Sequence, residues 1–178
     1  MKKYILFFAI SLTLSFALVS CDTETDVEPG GTNIEKMCGY WDVVYDAVDE
    51  NGELVYEDFF DMGVVPFYTY NTNDNSESFM YVDDLEEFWE FKFKANIDYN
   101  ARTFWALDLP YDEEGIEETA TITDGKILEG AARNSHGMPN DSISFYISFS
   151  DDPYPEAYGY AKYHVHGQRH TGFSPDAE

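Results

Sequence analysis

Three of the protein's four histidines fall within seven positions, in HVHGQRHTGF (164–173). Imidazoles close to carboxylates are the usual donors of a zinc centre, and a site here would take His164, His166, His170 and one acidic side chain. Along an extended strand, however, His170 lies about 20 Å from His164 at roughly 3.3 Å per residue. One ion cannot reach all three unless the chain bends sharply after Gly167. The stretch therefore reads as a strand with solvent-facing histidines, with no metal site and no acid/base role.

Other chemistry is no better supplied. A serine hydrolase needs a nucleophile, a base and an oxyanion hole, and the chain has no Gly-x-Ser-x-Gly. Ser135 and His136 are adjacent, but in NSHGMPND, which reads as a loop. A glycosidase needs two carboxylates about 5–10 Å apart, and 35 acidic residues leave any particular pair uninformative. Calcium would suit hard oxygen ligands. In DAVDENGELVYED, Asp49, Asn51 and Gly52 stand as in an EF-hand loop, but Ala47 holds the first ligand position and Asp58 the closing one. Cys38 reads as a small buried residue. No catalytic residues, metal or cofactor are predicted.

The elements that would position a site are strands. WDVVYDA sets Trp41, Val43, Tyr45 and Ala47 against Asp42, Val44 and Asp46, and WEFKFKA sets Trp89, Phe91, Phe93 and Ala95 against Glu90, Lys92 and Lys94. ISFYISF does the same with Ile143, Phe145, Ile147 and Phe149. Each is a strand with one buried face and one wet face. Asn51-Gly52 and Asp124-Gly125 are pairs that tolerate positive φ at both centres of a type I′ hairpin turn.

Ten strands are predicted, near 40–48, 53–59, 63–71, 77–83, 88–97, 102–109, 117–123, 126–133, 142–150 and 157–168, after a helical turn at 34–37. The chain is all-β and antiparallel. An up-and-down barrel removes vulnerable edges, with a sandwich as the alternative. About eight strands enclose a space that side chains fill or one small ligand occupies. Trp41, Tyr45, Trp89, Phe91, Phe93, Phe145 and Phe149 are expected inside, with Asn71 as a polar contact for a hydrophobic ligand.

Residues 1–20, with Lys2, Lys3 and YILFFAISLTLSFALV, read as a secretory signal peptide. LVSC (18–21) resembles the lipobox of bacterial lipoproteins, which implies that Cys21 becomes an acylated N-terminus anchored in the cell envelope, outer membrane included. Residues 21–33 read as an acidic tether, and 34–178 as one domain. The formal charge of −25, two units more negative once Lys2 and Lys3 are removed, repels nucleic acid and anionic headgroups. Membrane contact is expected through the Cys21 anchor alone, and the oligomeric state is left open.

Gly39-Tyr40-Trp41 resembles the Gly-x-Trp opening of lipocalin-like (calycin) barrels. TYNTNDNSESFMYVDD (69–84), FWEFKFKANIDYNARTF (88–104), GKILEGAARNSHGMPNDSISFYISFSDD (125–152) and VHGQRHTGF (165–173) are similar, in order and spacing, to the bacterial lipoprotein family described as lipid-binding putative hydrolases. The resemblance covers about 34–178. It implies an up-and-down lipocalin-like β-barrel of about 8–10 strands and a lipid or small hydrophobic ligand, but carries over no catalytic set. It also implies that Trp41 packs against Arg169 at the closed end. An inward Arg169 takes Val165, Gly167 and Thr171 inward and turns His164, His166, Gln168 and His170 outward. The other readings are a hydrolase acting on a lipid or glycan, and a surface protein binding glycans on flat Tyr and Trp platforms.

Overall fold

The computed structural model describes residues 31–111 and 117–172. A 3-10 turn, Glu35–Met37, leads into nine strands: β1 (Gly39–Val48), β2 (Leu54–Tyr56), β3 (Val65–Asn71), β4 (Phe79–Asp83), β5 (Lys92–Asp98), β6 (Thr103–Pro110), β7 (Thr119–Arg133), β8 (Pro139–Phe149) and β9 (Lys162–Arg169). Each pairs antiparallel with the next around the sheet, and β1 pairs with β9 from Trp41↔Arg169 to Val48↔Lys162. That pairing closes eight strands into a barrel, leaving β2 as a short flap on the end of β1.

Alternation decides which side chains fill the barrel. Trp41, Val43, Tyr45 and Ala47 point in from β1, Phe91, Phe93 and Ala95 from β5 and the residues before it, and Ile143, Phe145, Ile147 and Phe149 from β8. Rings from different walls meet across the axis. Phe67 lies 5.2 Å from Phe145, Phe104 5.4 Å from Phe145, and Phe91 5.6 Å from Phe149, measured between centroids. Each such ring removed from water stabilises the fold by about 1.5–3 kcal/mol.

One end of the barrel is sealed by the strands and the 3-10 turn. Ile34 and Met37 are fully buried beneath it. Trp41 Nε1 donates to Thr69 Oγ1 (2.9 Å), and that hydroxyl donates to the Met37 carbonyl (2.6 Å). The Arg169 guanidinium lies over the indole, its Cζ 4.5 Å from the ring centroid, and Nη1 donates to the Cys38 carbonyl at 2.6 Å. A Cβ at residue 39 would stand 2.5 Å from that Nη1, so glycine there makes room for the guanidinium. This gives the Gly-x-Trp opening a steric reason.

Several expectations need correction. Asp124-Gly125 is no hairpin: the segments read as 117–123 and 126–133 are one strand, β7, which runs past β8 with a register shift between Thr123 and Lys126. A type I′ turn needs positive φ at both centres, and here Asp124 takes it (φ 55) while Gly125 does not. The pair forms a bulge instead. Asn51-Gly52 does sit in the β1–β2 connection, but with Gly52 alone at positive φ (85) and Gly52 N–H bonded to the Asp49 carbonyl. β5 starts at Lys92, not at 88. The residues before Lys162 include a single helical turn, Pro155–Tyr158, in place of strand.

Candidate functional site

The antiparallel order puts the connections β1–β3, β4–β5 and β8–β9 at the end of the barrel opposite the Trp41 seal. Those connections are rich in aromatic residues, and their rings meet over the mouth. Phe60 lies 5.6 Å from Phe88, 5.5 Å from Tyr154 and 6.1 Å from Tyr163. Phe88 in turn lies 4.9 Å from Tyr163 and 5.6 Å from Trp89, and Trp89 stacks on Phe149 at 4.8 Å. The outer rim stays in water, with Leu54, Tyr56, Phe60, Tyr154 and Tyr158 all exposed. Rim rings meet edge-on, at 83° for Tyr56–Tyr158 and 73° for Phe60–Tyr154, which is not the flat platform that sugar rings stack on.

Two carboxylates hold this lid. Asp84 is buried, and accepts from the backbone N–H groups of Glu86 (3.1 Å), Phe88 (3.3 Å) and Trp89 (2.8 Å). Burial pushes its carboxyl above the ordinary value, and the N–H donors oppose that rise. The loop it pins carries three non-glycine residues at positive φ, Leu85 (57), Glu86 (63) and Glu90 (54). Such conformations persist only where surrounding contacts enforce them. On the opposite rim Asp152 Oδ2 accepts from Tyr160 (2.9 Å) and Tyr163 (2.8 Å), whose hydroxyls also bond each other. Desolvation comes first in raising the pKa of both phenols.

Directly beneath the lid Phe88 stacks on Tyr45 at 3.9 Å. Tyr45 is buried, and its hydroxyl has no hydrogen-bond partner among the described residues. Leaving such a group unpaired costs about 1–3 kcal/mol. Burial, then the Asp84 charge, holds its phenol protonated well above the ordinary value.

The outer wall carries the histidines. Across three strands Tyr146, His164 and Asp46 stand in register, and beside them Ser144, His166 and Val44. His166 Nε2 lies 2.9 Å from Asp46 Oδ2, and His164 Nε2 lies 2.9 Å from Ser144 Oγ. Burial, then the neighbouring His166, lowers the His164 pKa. His170 is elsewhere, 3.0 Å from Asp42 and stacked on Tyr40. At the β7–β8 turn, Ser135 Oγ and His136 Nδ1 are 3.2 Å apart, with both side chains exposed. Cys38 is a free, half-buried thiol whose pKa burial raises.

The family described as "Lipid-binding putative hydrolase" matches residues 26–174. The chain belongs to that family. No curated protein matches it. The family description and the closed barrel together support a lipid or other hydrophobic ligand.

Of the residues expected as ligand contacts, Phe91, Phe93, Phe145 and Phe149 are buried in the interior and pack largely against one another and the lid. Trp41 belongs to the sealed end. Tyr45 lies under the lid. Trp89 is not on a strand: it is half-buried at the mouth, with its Nε1 donating to Asp151 at 3.3 Å. Asn71, half-buried at the end of β3, donates to the Thr72 carbonyl, near Cys38 and away from the mouth. Cys21 lies outside the described residues. The sequence reading did not single out Phe59, Phe60, Phe88, Tyr154, Tyr163, Asp84 or Asp152. The available signal was the aromatic density of EDFFDMG (57–63) and DDPYPEAYGY (151–160), segments that alternation treats as strand or turn.

Proposed function

We propose that the protein is a lipoprotein, anchored in a bacterial cell envelope through acylated Cys21, whose barrel takes an acyl chain or similar small hydrophobe through its aromatic end. The observation that carries this reading is the contrast between the two ends. Trp41, Thr69, Met37 and Arg169 lock one end with hydrogen bonds between strands and helical turn. The other is covered by loop-borne rings with exposed apolar neighbours. Exposed apolar patches of this kind mark binding sites. Moving Phe88 aside uncovers Tyr45, whose unpaired hydroxyl suits the polar terminus of a fatty acid or alcohol. Such an anchor holds the protein at a membrane without requiring the acidic domain to touch headgroups.

Native mass spectrometry of the full chain, released from detergent and mixed with a long-chain fatty acid, tests the binding half. One ligand per chain is expected, with about tenfold weaker retention in Phe60→Asp, whose side chain is already at the surface. No retained ligand in the unaltered protein would overturn the reading. For the anchor, the Cys21→Ser protein should move from the membrane to the soluble fraction; equal membrane retention would count against it.

A further inference from the structure

We propose that Asp46, His164 and His166 form a binding site for a divalent transition ion, zinc for choice, on the outer wall of the barrel. The donor atoms of the three side chains all lie within 4.8 Å of one another. They come from two adjacent strands in a fixed relation. His164 and His166 stand two residues apart on the same face of β9, and Asp46 is the β1 residue paired with His164. The imidazoles are 4.8 Å apart between centroids.

Zinc bonds of about 2.0–2.2 Å to nitrogen and oxygen place tetrahedral ligands about 3.3 Å from each other. The Asp46–His166 pair, at 2.9 Å, is already closer than that. Small side-chain rotations on rigid strands bring the third donor in.

The supporting contacts suit a ligand set as well. Asp46 Oδ1 accepts from the Asp58 backbone N–H at 2.9 Å, which orients the carboxylate and leaves Oδ2 toward His166. Ser144 Oγ lies 2.9 Å from His164 Nε2, and the Tyr146 ring packs on that imidazole at 4.9 Å, tilted by 32°. Partners of this kind fix ring orientation at metal sites. Two imidazoles and one carboxylate favour zinc, copper or nickel over calcium and magnesium, which take oxygen. His166 also borders an open groove of about 690 Å³, beside Ser142, Ser144 and Gln168. A fourth ligand from solvent therefore has access. The sequence reading missed the site because it sought the third ligand at His170, whereas the carboxylate arrives from β1.

The test is calorimetric titration of the full chain, stripped with a chelator, with zinc chloride in excess magnesium, which occupies the oxygen-only acidic sites. One zinc per chain is expected. Binding should weaken at least tenfold in His166→Ala and in Asp46→Asn, while His170→Ala, outside the cluster, binds as the parent does. Cobalt(II) in place of zinc should give the visible absorption of a tetrahedral ion, lost in His166→Ala. Circular dichroism checks that each variant is folded. No stoichiometric zinc, equal affinity in His166→Ala, or an equal loss in His170→Ala would overturn the site.

Discussion

Arg169 covers an indole, donates to the Cys38 carbonyl and approaches Asp141 at 3.3 Å, all from a half-buried position. Removing it leaves a void over Trp41 and a carbonyl without its charged donor. Arg169→Ala is therefore expected to lower the stability of the fold by about 2–4 kcal/mol in urea denaturation. Arg169→Lys should recover only part of that, because an ammonium lacks the planar fork. A loss under about 0.5 kcal/mol for the alanine variant would contradict the role. His166→Ala should cost no more than about 1 kcal/mol in metal-free protein, as a partly exposed ion pair contributes little. At the sealed end Trp41 and Arg169 were legible only through the resemblance of Gly39-Tyr40-Trp41 to the opening of calycin barrels, and Thr69 and Met37, which bond beneath them, were not. Nor were the partners of Tyr45 and His166, since Phe88 and Asp46 reach them only through tertiary register.

The strands were legible wherever polar and apolar residues alternate. Alternation also misled, because Trp89 continues the apolar pattern of β5 yet folds over the barrel mouth beside Phe88 instead of lining the wall. Asp124-Gly125 carries a hairpin signal that the long pairing of β7 with β8 overrides, and the pair is absorbed as a bulge. The 84–91 loop depends on one carboxylate. Asp84→Ala should free three N–H groups and let the left-handed residues relax, with faster amide exchange confined first to 85–91; unchanged exchange there would contradict the assignment.

The pH dependence follows from the direction of the Asp84 shift. A carboxyl whose pKa is raised on folding binds its proton more tightly in the native state, so its contribution favours folding below the ordinary 3.8 and is lost as pH rises through the raised value. Relative to Asp84→Asn, the parent should therefore lose stability across that interval. A difference that is flat with pH would show that burial does not govern this group.

At the scale of the whole molecule the two ends have different physics. One is locked by hydrogen bonds between strands and a helical turn; the other is closed by rings that hold one another and leave an apolar rim in water. The fold class and the buried faces could be read from periodicity, but the lid could not, because loops have no period to read. The three tryptophans report separately on these regions: Trp41 is buried at the sealed end, Trp105 is exposed on the outer face of β6, and Trp89 stacks at the mouth. The most direct test is fluorescence quenching by a fatty acid brominated along its chain, since bromine quenches only indoles it touches. Saturable quenching that disappears in Trp89→Phe is the expected result. Quenching that persists undiminished in Trp89→Phe, or none in the parent protein, would contradict entry of a lipid through the aromatic mouth.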